Sequence, residues 1–231
     1  MTLRQDDPSL MLLRDGRQLD LARPDWRVMD LGDIAHSLAR QVRYCANCPR
    51  PVSIAEHSIA VAALAPERLA LAALLHDAHE AFLGDVTRPV EAALARRMGE
   101  HGDAFVAALW AMRQVLDVEI AMLALTLAPG FAGVNSGTLL HARAAAAVCS
   151  EMWSAPLVMA DAGAGLMERQ AFFPAPGRAG PAPAVITRID ALYVFGDASV
   201  TEIASAWLDA VEHHVAQRFA QRREPLAGAA S

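Results

Sequence analysis

Apolar residues recur along this chain at helical spacing, in segments parted by proline, glycine or capping residues. The first 32 residues carry little period. Asp15-Gly16 and Arg23-Pro24-Asp25 are turn signals there, and a short hairpin fits among them. Ile34, Leu38 and Val42 mark a first helix from Asp33, a good N-cap, to about Tyr44. A loop held by Pro49 and Pro51 spans Cys45 to Val52. Ser53-Ile-Ala-Glu56 is a capping box that opens a second helix through Ile59, Val61 and Leu64. Pro66 restarts the chain into a third helix, about Arg68 to Leu83, with Gly84 as its terminator. Further helices are expected at about Thr87 to Met98, Asp103 to Leu127 and Ser136 to Trp153. From Ser154 to Ala184, Gly, Pro and Ala dominate without period, which reads as a long loop or insertion reaching toward residue 198. Val185 to Phe195 reads equally as a strand or a short helix. A second capping box, Ser199-Val-Thr-Glu202, opens a last helix to about Arg223.

Composition narrows this to a fold class. Of 231 residues 54% are hydrophobic but only 6% aromatic, and the surplus is Ala and Leu, which favours packed helices over sheets. The expected fold is all-α, in a single domain. A net charge of -6 argues against a duplex nucleic-acid surface and leaves room for a local basic pocket facing one small anion. No stretch approaches the apolar length of a bilayer span, and the N-terminal residues lack the apolar core of a signal peptide, so no membrane association and a cytoplasmic location are expected. Homodimer formation stays open. Cys45 and Cys48 have the spacing of half a zinc site or a redox pair. With Cys149 the third and last thiol and no βαβ pattern around them, neither role is assigned.

Candidate chemistry concentrates in Leu74-Leu-His-Asp-Ala-His-Glu-Ala-Phe-Leu-Gly-Asp85, where two histidines and three carboxylates interrupt apolar sequence. Burying such groups is unfavourable unless they are paired or bound to a cation. A neutral imidazole and a carboxylate held side by side can share one ion, which makes His76 and Asp77 candidate metal ligands. On a regular helix Glu80 lies one turn beyond His76, within reach of a water on that ion.

Five segments occur in order: Asp-Ile-Ala-His36, Val-Arg43-Tyr44, Val-Ser-Ile-Ala-Glu-His57-Ser, Leu-Leu-His76-Asp77-Ala-His-Glu80 and Gly-Asp85-Val-Thr-Arg-Pro89. Together they resemble the HD-domain metal-dependent phosphohydrolases, in particular the branch related to bacterial 5'-deoxynucleotidases. The resemblance implies an HD-type helical bundle in which His57, His76 and Asp77 bind a divalent ion such as Mn, Co or Zn. It implies that Glu80 positions or activates the attacking water and that Asp85 assists at the leaving oxygen or orients the nucleophile. Arg43 matches an arginine that clamps substrate phosphate, with Tyr44 beside it in the substrate-binding segment. The implied substrate is a nucleotide, foremost a deoxynucleoside 5'-monophosphate. Triphosphate release from a deoxynucleoside triphosphate, and nucleotide or partner binding without turnover, are the alternatives.

This chain departs from the pattern at the fourth ligand. The family takes an aspartate from an apolar-basic-x-Ala-Asp run with a glutamate seven residues on. Aligning that glutamate with Glu151 puts Ala144 at the aspartate, and His141, three residues earlier on nearly the same face, is the candidate replacement. Glu91 also stands where the family often has a lysine, and it would repel a phosphate if it faced the pocket.

Overall fold

The computed structural model describes residues 7–48, 50–128, 139–173 and 198–220. It is predominantly helical, with a single two-stranded antiparallel sheet among the described residues, β1 (Leu10–Leu12) on β2 (Gln18–Asp20), with Met11 opposite Leu19. This is the hairpin that the turn signals anticipate. Its Leu19 is buried, which pins the hairpin to the helical core.

Helix α1 (Leu31–Arg40) starts earlier than the spacing suggests, because the Asp30 side chain accepts from the Asp33 N–H. Leu31, Ile34, Ala35, Leu38 and Ala39 form its buried face. It also ends earlier, at Arg40 instead of Tyr44. The Arg43 N–H donates to the Val52 carbonyl at 2.9 Å and the Ile54 N–H to the Gln41 carbonyl at 3.0 Å, so the chain leaves α1 extended and is tied to the start of α2 (Ile54–Leu64). Between these ties, Tyr44, Cys45 and Ala46 turn with φ of 60°, 52° and 59°, the left-handed region that non-glycine residues rarely occupy. The Ser53–Glu56 capping box forms as expected.

The expected third helix is divided. A 3-10 turn (Glu67–Leu69) leads into α3 (Ala70–Leu75), whose six residues are all buried, and a tightened turn at 76–79 leads into α4 (Glu80–Leu83). Within that turn the Ala78, Glu80 and Ala81 N–H groups each reach back three residues, to Leu75, Asp77 and Ala78. The carbonyls thereby released take side chains: His76 Nδ1 approaches the Ala73 carbonyl at 2.7 Å and Trp207 Nε1 donates to the Leu74 carbonyl at 3.1 Å. Gly84, at φ 73°, ends α4.

Helices α5 (Arg88–Arg97), α6 (Gly102–Leu125) and α7 (Leu139–Met152) follow near their expected positions. The next segment overturns an expectation. Residues 155–172 do not form a loop; they are an 18-residue helix, α8 (Ala155–Phe172), with Pro156 in its first turn and Leu157, Ala160, Ala164, Glu168 and Phe172 buried along one face. The segment Val185 to Phe195 lies outside the described residues. The last helix, α9 (Val200–Ala220), opens on the Ser199–Glu202 capping box. It packs along α1 and against α2, α3 and α6, with Trp207 wholly buried, while α8 packs on α2. Among the described residues no helix is long and apolar enough to cross a membrane.

Candidate metal centre

Four side chains from three places in the chain converge beside α3. His57 comes from the buried first turns of α2, His76 and Asp77 from the tightened turn after α3, and Asp161 from α8. His57 Nε2 lies 3.1 Å from Asp161 Oδ1 and 3.8 Å from Asp77 Oδ2. His76 Nε2 lies 3.1 Å from Asp77 Oδ2 and 3.9 Å from Asp161 Oδ1. His57, His76 and Asp77 offer ligand atoms that all lie within 4.8 Å of one another, and Asp161 Oδ1 stands on the histidine side of this trio at 3.1 and 3.9 Å. Imidazole nitrogens and carboxylate oxygens about 2.1 Å from one ion stand about 3.0–3.4 Å apart, so His57, His76 and Asp77 could hold a divalent cation on contraction, with Asp161 beside the two histidines as a further donor.

Protonation states point the same way. A carbonyl can only accept, so His76 Nδ1 carries the proton it gives to Ala73, and in the neutral ring Nε2 is left as a bare donor atom. That Nε2 is buried and makes no hydrogen bond; its approach to Asp77 lies outside hydrogen-bond geometry. Without a cation a proton fills the role. Burial opposes a charge on His76, but Asp77 and Asp161 outweigh it and push the pKa up to about 9. Burial likewise raises Asp77 and Asp161, yet the facing histidines, and Arg43 for Asp77, hold both carboxyls below their ordinary range.

Behind His57 stands Glu168, fully buried, two turns beyond Asp161 on the same helix. Its Oε1 is 2.7 Å from His57 Nδ1, and its Oε2 accepts from Arg43 Nε at 3.1 Å and from the Tyr44 hydroxyl at 2.6 Å. A carboxylate on the outer nitrogen of a ligating imidazole fixes tautomer and ring orientation. Arg43 NH1 also lies 3.6 Å from Asp77 Oδ2, which sets its guanidinium at the rim of the cluster. Burial raises the Tyr44 pKa, and Glu168 adds to it, to about 12.

Glu80 and Asp85 complete the acidic face. In the tightened turn residues three apart eclipse, so Glu80 sits with Asp77 rather than squarely over His76. Ligand atoms of Asp77, His79 and Glu80 lie within 4.8 Å of one another. Glu80 Oε2 is buried without a hydrogen-bond partner, and burial, then Asp77 and Asp85, push its pKa up to about 10. Burial also raises Asp85. Asp77, Asp85, Asp161 and Glu168 therefore surround Arg43 and two histidines together with the protonated Glu80, and this acidic surround suits a cation.

Two expectations fail here for one reason. His141 is not in the cluster: it is buried between α6 and the N-terminal segment, where its Nε2 donates to the Met122 carbonyl at 2.9 Å and its ring stands edge-on to Trp26. Glu151, used to align the family glutamate, forms a two-pronged ion pair with Arg218 of α9 at 2.7 and 2.8 Å. An aspartate with a glutamate seven residues on and an alanine before it does stand at the cluster, as Ala160-Asp161 with Glu168, although Val158 occupies the place of the pattern's basic residue. His79, which sequence would leave exposed or at the site's margin, is buried and bonds through Nδ1 to Asp117 at 2.8 Å. Glu91 does not stand as an unpaired repulsive charge, since Arg113 NH1 pairs with it at 3.0 Å.

No family model matches the chain. Two curated proteins resemble part of it: an uncharacterized protein of Rhodobacter capsulatus, 41% identical over 103 residues, and the uncharacterized protein YfdR of Escherichia coli, 30% identical over 92 residues. These alignments cover 41% and 39% of this chain and 53% and 52% of the relatives, so the chain spans about half the length of the curated proteins it matches.

Proposed function

We propose that this protein is an HD-type, metal-dependent phosphohydrolase acting on a deoxynucleoside 5'-monophosphate. The observation that carries the reading is the gathering of His57, His76 and Asp77 with Asp161 beside the two histidines, in the order of the HD pattern and with Arg43 at its rim. A divalent ion held there would polarise a phosphoryl oxygen and acidify a water. Arg43, oriented by Glu168, offers its remaining N–H groups to the phosphate, where the planar fork matches two oxygens. Glu80 would take the proton from the attacking water once a bound cation offsets the burial and the Asp77 and Asp85 charges that otherwise keep it protonated. Asp85 serves the leaving oxygen. Tyr44, anchored on Glu168 and edge-on to Phe173 at 5.1 Å, walls the substrate side.

The alternative without turnover rests on Ala144 at the fourth-ligand position and on the charge of Glu91. Asp161 beside His57 and the pairing of Glu91 with Arg113 favour turnover over it. Purified protein supplied with Mn, Co or Zn should release inorganic phosphate from a deoxynucleoside monophosphate, and His76→Ala should abolish it. Failure with every nucleotide and every metal overturns the proposal. Triphosphate as the product from a deoxynucleoside triphosphate would redirect it to that substrate.

A further inference from the structure

Beside the acidic face, between α5 and α6, lies a cavity of about 330 Å³ lined by Glu91, Asp103, Val106, Trp110 and Arg113 among others. This is at the lower end of the range in which small-molecule sites fall. Its wall is continuous with the catalytic candidates. Arg113 bridges Glu91 and the Val86 carbonyl, the latter at 3.3 Å and one residue from Asp85, and it acts electrostatically on Glu80. The lining combines an apolar floor and an indole with two carboxylates. Trp110 is 37% exposed although its ring meets Trp153 at 4.3 Å.

We propose that this cavity is the nucleobase subsite, selecting bases that carry an exocyclic amino group. The inference rests on the nucleotide reading, which sets the phosphate against the metal cluster and so directs the base outward past the Asp85 segment. Planar bases gain by lying on an indole, whatever their identity. Identity is then read at the edge. Glu91 and Asp103 can only accept hydrogen bonds when ionised, so they suit an amino donor and oppose a carbonyl at the same place. Arg113, the one donor among the named lining charges, is already engaged by Glu91 and Val86. Cytosine and uracil differ by this exchange of amino group for carbonyl, which makes them the sharpest comparison.

The experiment compares dCMP with dUMP on the full metal-loaded protein, by phosphate release and, independently, by tryptophan fluorescence titration. We expect dCMP to be favoured about tenfold in kcat/KM and in affinity. Asp103→Asn and Glu91→Gln, each able to donate as well as accept, should bring that ratio toward one. Trp110→Ala should weaken both nucleotides about tenfold without changing their ratio. A wild-type ratio at or below one overturns the inference, as does a ratio that survives both substitutions. Equal hydrolysis of the two nucleotides sinks the subsite and leaves the phosphohydrolase reading standing. Base-selective binding without hydrolysis of any nucleotide sinks that reading and keeps the subsite.

Discussion

Asp161 Oδ1 stands 3.1 Å from His57 Nε2, although 104 residues separate the two along the chain. That contact joins α8 to α2 and closes the donor set, so Asp161→Ala should cost the protein its metal. Metal analysis after purification without chelator is expected to show less than about a tenth of the wild-type content. His141→Ala is the counterpart. It leaves the Met122 carbonyl unsatisfied and should cost about 1–3 kcal/mol of stability while metal content stays at the wild-type level. Loss of metal in the His141 variant with retention in the Asp161 variant would reverse our assignment.

Glu168 serves three donors from one carboxylate, and its two substitutions should separate shape from charge. Glu168→Gln keeps the volume but loses the charge that His57, Arg43 and Tyr44 share. Metal affinity, measured by competition with a chelating dye, should fall about 10–100-fold. Glu168→Ala also opens a void behind His57 and takes from the half-buried Arg43 the nearer of its two carboxylates, and urea unfolding should show a loss of about 3 kcal/mol. Equal metal affinity in all three proteins would rule out its hold on His57 as a determinant of the site.

Stability of the metal-free protein should fall as pH rises from 6 to 10. His76, raised from 6.5 to about 9, contributes stability that is full below 6.5 and lost through pH 9. Glu80, raised from 4.5 to about 10, keeps in the folded state a proton that the unfolded chain has already released, which lowers stability across the same interval. The depressed Asp77 and Asp161 titrate below this range and add no slope to it. Glu80→Gln should therefore raise the metal-free Tm at pH 8 and do little at pH 5. Because a ligating His76 must lose its proton, apparent metal affinity should climb over the interval. Thermal denaturation with and without metal checks both slopes, and a metal-free Tm that rises with pH would contradict them.

Trp207→Ala should destabilise the fold by about 3–5 kcal/mol, read by urea unfolding, because it empties a fully buried site and strips the Leu74 carbonyl of its partner. Trp207→Phe keeps most of the packing and should cost less. An equal cost for the two would show that the carbonyl, rather than the volume, carries the effect.

Much of the fold was legible because local rules and tertiary packing agree. Both capping boxes form, the hairpin sits among the turn residues, and Pro66 and Gly84 bracket the motif-bearing segment. His57, His76, Asp77, Arg43 and Glu80 do gather in one place. Helix α8 was hidden by composition. Gly163 and Gly165 each cost about 1 kcal/mol in a helix, and with Pro156 they lend the segment the look of a loop. The signal that outweighs them is the stripe Leu157, Ala160, Ala164, Glu168 and Phe172, three to four residues apart and all buried. Its one charged member breaks the apolar period, and that break is the carboxylate that holds His57, Arg43 and Tyr44. The division of the third helix was illegible for another reason. No glycine or proline marks positions 76–79; His76 and Trp207 capture the carbonyls of Ala73 and Leu74, and the second of these partners is 133 residues away.

The order of the chain gives Glu168 a further significance. His57, His76, Asp77 and Arg43 precede α8 in the chain, and both carboxylates within 3.1 Å of the His57 imidazole come from α8. Helix α8 thus brings three things to the first half of the chain at once: Asp161 beside the two histidines, Glu168 behind His57 and an anchor for Arg43.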